Sequence, residues 1–261
     1  MKIGIIGTGN MGQAIISRLE GSRLVVYDKD VSKAEKVSRD FGASVHTPEN
    51  GKLEETEIII ICVKPQEMKK ALGFLSEINL KSKVVISIAA GIKTADLEKG
   101  LGTVSIIRAM PNTPALLGMG ITAICKGKHA TEADLKKAEN IFLKIGDCVV
   151  VEEKDMDAVT AVSGSGPAYV FLFAEELIKA AVKAGLPLKA SELLVRKTFE
   201  GSSRMMYSSD RALSEMREQV TSKGGTTEEA IKVFHEEKLS HIIERAVHAA
   251  KRRSGELSKN I

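Results

Sequence analysis

The sequence predicts an α/β protein, with a doubly wound, mostly parallel sheet at the N-terminus and an all-helical C-terminal domain. Two observations carry this. Over roughly the first 150 residues, short runs rich in Val and Ile alternate with amphipathic stretches, as βαβ units require. After Asp155 the strand signal stops, and apolar residues recur only at helical spacing. The expected domains are residues 1–154 and 155–261.

Lys2 to Ile6, Arg23 to Asp28, Glu57 to Val63, Lys83 to Ile88 and Thr103 to Arg108 read as strands. They are apolar on both faces, as strands of a covered parallel sheet are. Helices are predicted between them at Asn10 to Glu20, Ser32 to Phe41, Pro65 to Ile78 and Thr94 to Lys99. A strand at Ile121 to Cys125, a helix at Thr131 to Ile145 and a strand at Cys148 to Val151 extend the pattern. Beyond the boundary, Met156 to Ala184 has helical spacing interrupted at Gly164, Gly166 and Pro167. Leu188 to Tyr207, Arg211 to Val220 and Thr226 to Arg253 are further predicted helices. Val170 to Phe173 and Leu177 to Val182 are more apolar than one solvated helix face requires. They suit either the centre of a bundle or a helix buried between subunits.

The composition of the 261 residues excludes several classes: 43% hydrophobic, 28% charged, with 22 Gly and 6 Pro, is ordinary globular usage. The longest strictly aliphatic run, Ile58 to Ile61, falls far short of the ~20 residues of a membrane helix, so no membrane partner is expected. Lys2 opens a strand pattern with no cationic lead or cleavage site, so a cytoplasmic protein without signal peptide is expected. Basic and acidic residues number 38 and 34 and are interspersed, and Lys251, Arg252 and Arg253 read as a solvated helix end. With no Trp and three Tyr there is no base-stacking platform, and no nucleic-acid partner is expected. Cys62, Cys125 and Cys148 lie far apart in apolar runs without a Cys-x-x-Cys. They read as buried thiols in a reducing compartment, and no metal site is expected.

Gly7-Thr8-Gly9-Asn10-Met11-Gly12 is a Gly-x-Gly-x-x-Gly directly after the first strand and opening the first helix. That context is the one a Rossmann-type dinucleotide fingerprint needs. Gly7 permits the tight turn, Gly9 lets a pyrophosphate approach the backbone, and Gly12 lets helix and strand pack closely. The helix start then supplies N–H donors and a positive dipole end to the diphosphate. The alternative is a purely structural turn. Asp28, at the end of the second strand, lies 19 residues past Gly9, where an acidic side chain receives the adenosine ribose. A carboxylate there repels a 2′-phosphate and argues for NADH, while Lys29 beside it softens that repulsion, so NADPH and NADH both stay open. Asp28 also suits a plain turn cap. Val63-Lys64-Pro65 and Ala89-Ala90-Gly91 close two more strands at the carboxyl edge, where ligands bind in open α/β sheets. Small residues there leave room for a flat ring. Met110-Pro111-Asn112-Thr113-Pro114 forms a stiff loop at the same edge, shaping a pocket or only turning the chain.

In the helical half, Thr221-Ser222-Lys223-Gly224-Gly225-Thr226-Thr227 precedes an amphipathic helix, and Thr226 with Glu229 has capping-box spacing. Glycine N–H groups and threonine hydroxyls at a helix N-terminus form a receptor for a small carboxylate, or else a plain capped loop.

With these stretches goes a resemblance over the whole length: the chain is similar to the Δ1-pyrroline-5-carboxylate reductases. It is carried by the glycine-rich start, Val63-Lys64-Pro65, Ser87-Ile88-Ala89-Ala90-Gly91 and Ile107-Arg108-Ala109-Met110-Pro111-Asn112-Thr113-Pro114. Asp157-Ala158-Val159-Thr160, Ser163-Gly164-Ser165-Gly166-Pro167-Ala168-Tyr169 and Val220 to Thr227 complete it. Lys223 stands where that family usually has Pro. The resemblance implies that Gly7, Thr8, Gly9, Asn10, Met11 and Gly12 bind the cofactor diphosphate, with Asn50 near the adenosine ribose. It places Val63, Lys64, Pro65, Ala89 and Ala90 on the nicotinamide side and Glu153 near the cofactor. It assigns the substrate carboxylate to Ser222, Gly224, Gly225, Thr226 and Thr227. It further implies a homodimer through the helical domain, with assembly to a decamer.

The implied reaction is hydride transfer from NADPH or NADH to the C=N bond of a cyclic imino acid, giving L-proline. An iminium is already electrophilic, so the protein mainly orients it. Thr227 is the candidate proton donor to the ring nitrogen, with water as the alternative. A reductase of a related cyclic imine and a non-catalytic NAD-binding regulator are rival readings. A β-hydroxyacid dehydrogenase is disfavoured, because its lysine four residues past Gly166 is here Val170.

Overall fold

Isoleucine occupies all four positions of the strand Ile58–Ile61, and every one of them is fully buried. An isoleucine side chain removed from water contributes about 2 kcal/mol. A strand apolar on both faces therefore needs cover above and below. In the computed structural model, which describes residues 1–19 and 23–257, this strand lies inside an eight-stranded sheet of order β3-β2-β1-β4-β5-β6-β7-β8. The strands are β1 (Lys2–Ile6), β2 (Arg23–Tyr27), β3 (Ser44–Val45), β4 (Ile58–Ile61), β5 (Val84–Ser87), β6 (Ser105–Met110), β7 (Gly120–Lys126) and β8 (Gly146–Val150). Every neighbouring pair is parallel except β6 with β7.

The two-residue period of the strands divides the core. Ile58 and Ile60 join Ile3, Ile5 and Ile86 against helices α1 (Asn10–Ile16), α2 (Val31–Phe41) and α5 (Glu132–Phe142). Ile59 and Ile61 join Val25 and Val85 against α3 (Met68–Leu75) and α4 (Thr94–Leu101). The expected Rossmann-type, mostly parallel sheet is thus what the chain forms.

Several boundaries differ from the expected ones. The strand β3 has too few residues to show alternation. The first helix ends at Ile16, and its expected last residue, Glu20, lies outside the described residues. The helix expected from Pro65 opens as a 3₁₀ turn, Pro65–Glu67. The long segment from Met156 becomes α6 (Met156–Val159), a π turn at Thr160–Gly164, and α7 (Gly166–Lys183). α8 spans Leu188–Tyr207 as expected, followed by α9 (Leu213–Gln219). The helix expected from Thr226 to Arg253 is two helices, α10 (Thr226–Glu236) and α11 (Leu239–Leu257). Between them Lys238 adopts φ 55°, a left-handed conformation that ends one helix and starts the next. Neither Gly nor Pro marks the place.

The chain forms two compact units, Met1–Pro167 with the described part from His248 onward, and Ala168–Val247. The first unit therefore reaches past the expected boundary at 154. Met156 is fully buried with Ala123 and Cys125. Arg108 on β6, its side chain only 3% exposed, pairs with Glu153 at 3.0 Å and Asp157 at 3.2 Å. Ser254 Oγ of α11 donates to Asp157 Oδ1 at 2.8 Å. These contacts hold both late segments on the sheet. Within the second unit, Phe173 packs near Phe199 and Phe234, while Val170, Phe171 and Leu172 are 48%, 69% and 58% exposed.

Removing the Arg108 guanidinium would leave two half-buried carboxylates facing each other. Arg108→Ala is expected to lower unfolding stability by about 3 kcal/mol, read from the urea midpoint, and Arg108→Lys to recover only part of it because one ammonium lacks the fork that bridges both acids.

Candidate functional site

At the end of β1 the chain must turn sharply, and Gly7 does so at φ 95°. A Cβ there would lie 2.9 Å from the carbonyl of Cys62, so the position admits only glycine. The Gly7 N–H donates to Tyr27 O at 2.8 Å, tying the turn to the end of β2. A Cβ on Gly12 would come within 2.3 Å of Gly7 O, which shows how closely α1 sits on the turn. A Cβ on Gly9, by contrast, would meet nothing within 4 Å. Its open side is where a ligand can reach the backbone.

Side chains fix this loop. Thr8 is fully buried, and both its N–H and its Oγ1 donate to Asp28 Oδ2, each at 2.8 Å. Gln13 Nε2 donates to Thr8 O at 2.8 Å. Asp28 Oδ1 accepts from the Asp30 N–H at 3.0 Å. The acidic residue at the end of β2 thus stands directly against the glycine-rich loop.

A cleft of about 550 Å³ opens at the carboxyl ends of β1, β4, β5 and β6. It is lined by Gly9 to Met11 after β1, Cys62 to Pro65 after β4, Ile88 to Ala90 after β5, Met110 to Thr113 at β6, and Gly164. Side by side in the sheet, these strands bring four distant stretches of sequence together. An open Gly9, a helix start and small Ala89 and Ala90 fit an elongated ligand with a diphosphate and a flat ring.

Gly9, Asn10, Met11, Val63, Lys64, Pro65, Ala89 and Ala90 of the sequence-expected residues line this cleft. Gly7, Thr8 and Gly12 shape it from behind. Asn50 does not line it; its Oδ1 accepts from Thr47 and Lys52 N–H groups and its Nδ2 donates to Val45 O, which fixes a local turn. Nor does Glu153, whose carboxylate is occupied by Arg108 and by the N–H and hydroxyl of Thr94. Met110 to Thr113, a loop that in sequence could equally only turn the chain, and Gly164, in sequence an interruption of helical spacing, line the cleft too. The stiff Pro111 and Pro114 loop signalled the former. Gly164 had only its glycine to offer: a Cβ there would lie 2.4 Å from Met110 Cε.

In the second unit, α10 begins at Thr226 with Gly225 as its N-cap and no side-chain cap. The expected capping box of Thr226 with Glu229 does not form, because the helix starts one residue earlier than that spacing requires. Glu228 Oε2 instead accepts from the Gly224 N–H at 2.6 Å. Gly224 has φ 72°, and a Cβ on Gly225 would lie 2.5 Å from Ser222 Oγ, so both glycines shape a tight loop. The helix start is left with backbone donors at its positive end.

The three cysteines are free, and burial disfavours the thiolate of each. Cys62 reaches the cleft edge, but burial raises its thiol pKa far above the ordinary value. Burial, then the charge of Glu153, pushes Cys125 up to about 12. Burial likewise takes Cys148 to about 11. Among the described residues no group of three or more His, Cys, Asp or Glu is placed to hold a metal.

Residues 153–257 match the family model for pyrroline-5-carboxylate reductase dimerisation, and residues 2–91 match that for NADP oxidoreductase, coenzyme F420-dependent. The pyrroline-5-carboxylate reductase of Haemophilus influenzae is 39% identical over 267 residues, covering 98% of this chain and 97% of that one. The chain belongs to the pyrroline-5-carboxylate reductase family. Its fold follows that of a solved reductase from Coxiella burnetii with a TM-score of 0.90, at 33% identity and 98% coverage of both chains. The Plasmodium falciparum pyrroline carboxylate reductase, solved with NADP bound, superposes with a TM-score of 0.87 at 32% identity, covering 99% of this chain and 98% of that one. The reductase family's dimerisation region thus includes both the Arg108 ion-pair partners and the α10 loop.

Gly9→Ala is expected to fold with an unchanged melting temperature yet bind dinucleotide at least about tenfold more weakly by fluorescence titration. Gly12→Ala is expected to lose stability as well, since its methyl has no room. Raised thiol pKa values leave little thiolate at pH 8, so iodoacetamide labelling of the native chain should be at least about tenfold slower than after unfolding, as counted by mass spectrometry.

Proposed function

We propose that this chain reduces the C=N bond of 1-pyrroline-5-carboxylate to L-proline, using NADPH or NADH as hydride donor. The observation that carries the reading is the cleft at the carboxyl ends of β1, β4, β5 and β6, whose Gly9 and Ala89–Ala90 walls admit a diphosphate and a flat ring. Membership in the reductase family supplies the substrate. The bound nicotinamide supplies the hydride. The N–H groups at the start of α1 hold the diphosphate, and Val63, Lys64, Pro65, Ala89 and Ala90 hold the nicotinamide side.

The carboxylate of the substrate is held by Ser222, Gly224, Gly225, Thr226 and Thr227 at the start of α10. Its N-terminus supports this, because Gly225 as N-cap brings no side-chain acceptor to the first helical N–H groups, Glu228 being engaged with Gly224. A protonated cyclic imine needs little activation at carbon, so orientation does most of the work. Thr227 supplies the proton that makes the ring nitrogen cationic and is itself reprotonated from water; hydride addition to the adjacent carbon then leaves the neutral secondary amine. A β-hydroxyacid dehydrogenase remains disfavoured by Val170 on α7, an aliphatic residue where such chemistry needs a lysine.

The chain acts as a homodimer through its helical unit, and the dimers assemble further into a decamer. Support comes from the dimerisation match over 153–257 and from Val170, Phe171 and Leu172, exposed on a single chain. No helix among the described residues is long and apolar enough to cross a membrane.

The reading is tested by following cofactor oxidation at 340 nm after adding 1-pyrroline-5-carboxylate, with L-proline identified as product. No oxidation with either cofactor overturns it, and a six-membered imine reduced faster would reassign the substrate. Thr227→Ala is expected to cost on the order of tenfold to a thousandfold in kcat; near-normal turnover assigns the proton to water.

A further inference from the structure

The charges around the end of β2 are matched in a way the sequence did not disclose. Asp28 faces the glycine-rich loop, fixed by the N–H and hydroxyl of Thr8 at 2.8 Å each and by the Asp30 N–H at 3.0 Å. All three are neutral donors, so none of them offsets a negative charge. Lys29, the cation beside it, is turned away: its Nζ pairs with Glu67 Oε2 at 3.0 Å. The hydrogen bond from Lys29 holds the Glu67 carboxyl below the usual carboxylate range. Lys33, the next cation along α2, pairs with Asp30 at 3.6 Å. His46, packed edge-on against Tyr27, accepts a hydrogen bond at Nδ1 from the Leu53 N–H, and its burial lowers its pKa, so it adds no positive charge.

The end of the second strand, beside the glycine loop, is where a dinucleotide places its adenosine ribose in this fold. A ribose 2′-hydroxyl finds there a carboxylate with acceptor capacity left over, since Oδ1 accepts only from Asp30 and has a further lone pair, while Thr8 takes both of those on Oδ2. A 2′-phosphate finds the same carboxylate, with Lys29 and Lys33 already engaged. From this geometry, and resting on the dinucleotide reading above, we propose that the chain takes NADH in preference to NADPH, with Asp28 as the discriminating residue and the Lys29–Glu67 pair as what keeps a rescuing cation away.

The test is direct binding to the full-length protein, by enhancement of reduced-nicotinamide fluorescence and by calorimetry, without substrate. The unsubstituted chain is expected to bind NADH at least about tenfold more tightly than NADPH. Asp28→Asn keeps an acceptor for Thr8 but removes the charge and the second acceptor oxygen; it should tighten NADPH about tenfold while weakening NADH. Glu67→Gln, at the surface, releases Lys29 and should tighten NADPH alone by about threefold, an effect that fades at high salt. Equal or tighter binding of NADPH by the unsubstituted chain overturns the proposal. So does an Asp28→Asn variant that shifts both cofactors by one factor, which would reduce Asp28 to a loop fastener. Failure of both dinucleotides to bind at millimolar concentration would instead overturn the dinucleotide reading itself.

Discussion

The rest of the molecule depends on one constraint, that both faces of a parallel sheet be kept from water. Once Ile58 to Ile61 are buried on both sides, no polar side chain fits in the middle of β4, and its neighbours β1 and β5 obey the same rule. Polar and conformationally special residues are pushed to the strand ends. Because the strands run in one direction, their carboxyl ends meet along one edge. The cleft is the consequence: a dry, rigid sheet delivering four loops to one place.

Arg108 is the exception within a buried strand, and it serves the architecture. A guanidinium in that position is tolerable only with paired carboxylates, and Glu153 and Asp157 provide them. The same pair draws in Thr94 at the start of α4 and Ser254 on α11. Gly91, just past the cleft wall at Ala89 and Ala90, lies so close to this last helix that a Cβ would sit 2.4 Å from Ser254 O. The ion-pair cluster therefore braces the back of the wall whose front faces the ligand.

Much of this was legible in the chain. The Gly7, Gly9 and Gly12 pattern and the Val- and Ile-rich runs are local signals, each arising from a backbone or burial requirement within a few residues. α8 could be bounded from sequence because Pro187 precedes it and the polar Ser208-Ser209-Asp210 follows. Asn50 and Glu153 show the opposite. Each has a side chain suited to a ligand, yet each spends its hydrogen bonds on the protein, and only distances reveal that. The break at Lys238 has no signal in the sequence for a related reason: no residue type there demands a left-handed backbone.

By itself, the sequence determined the α/β class, the dinucleotide fingerprint and the family, because those are written in periodicity and in glycine positions that no other residue can occupy. Tertiary structure alone decided which charges meet. Arg108 is 45 residues from Glu153, Asp28 is 20 from Thr8, and Lys29 is 38 from Glu67. Electrostatic pairing depends on separation in space, which the crossover connections of the sheet set and linear spacing does not record.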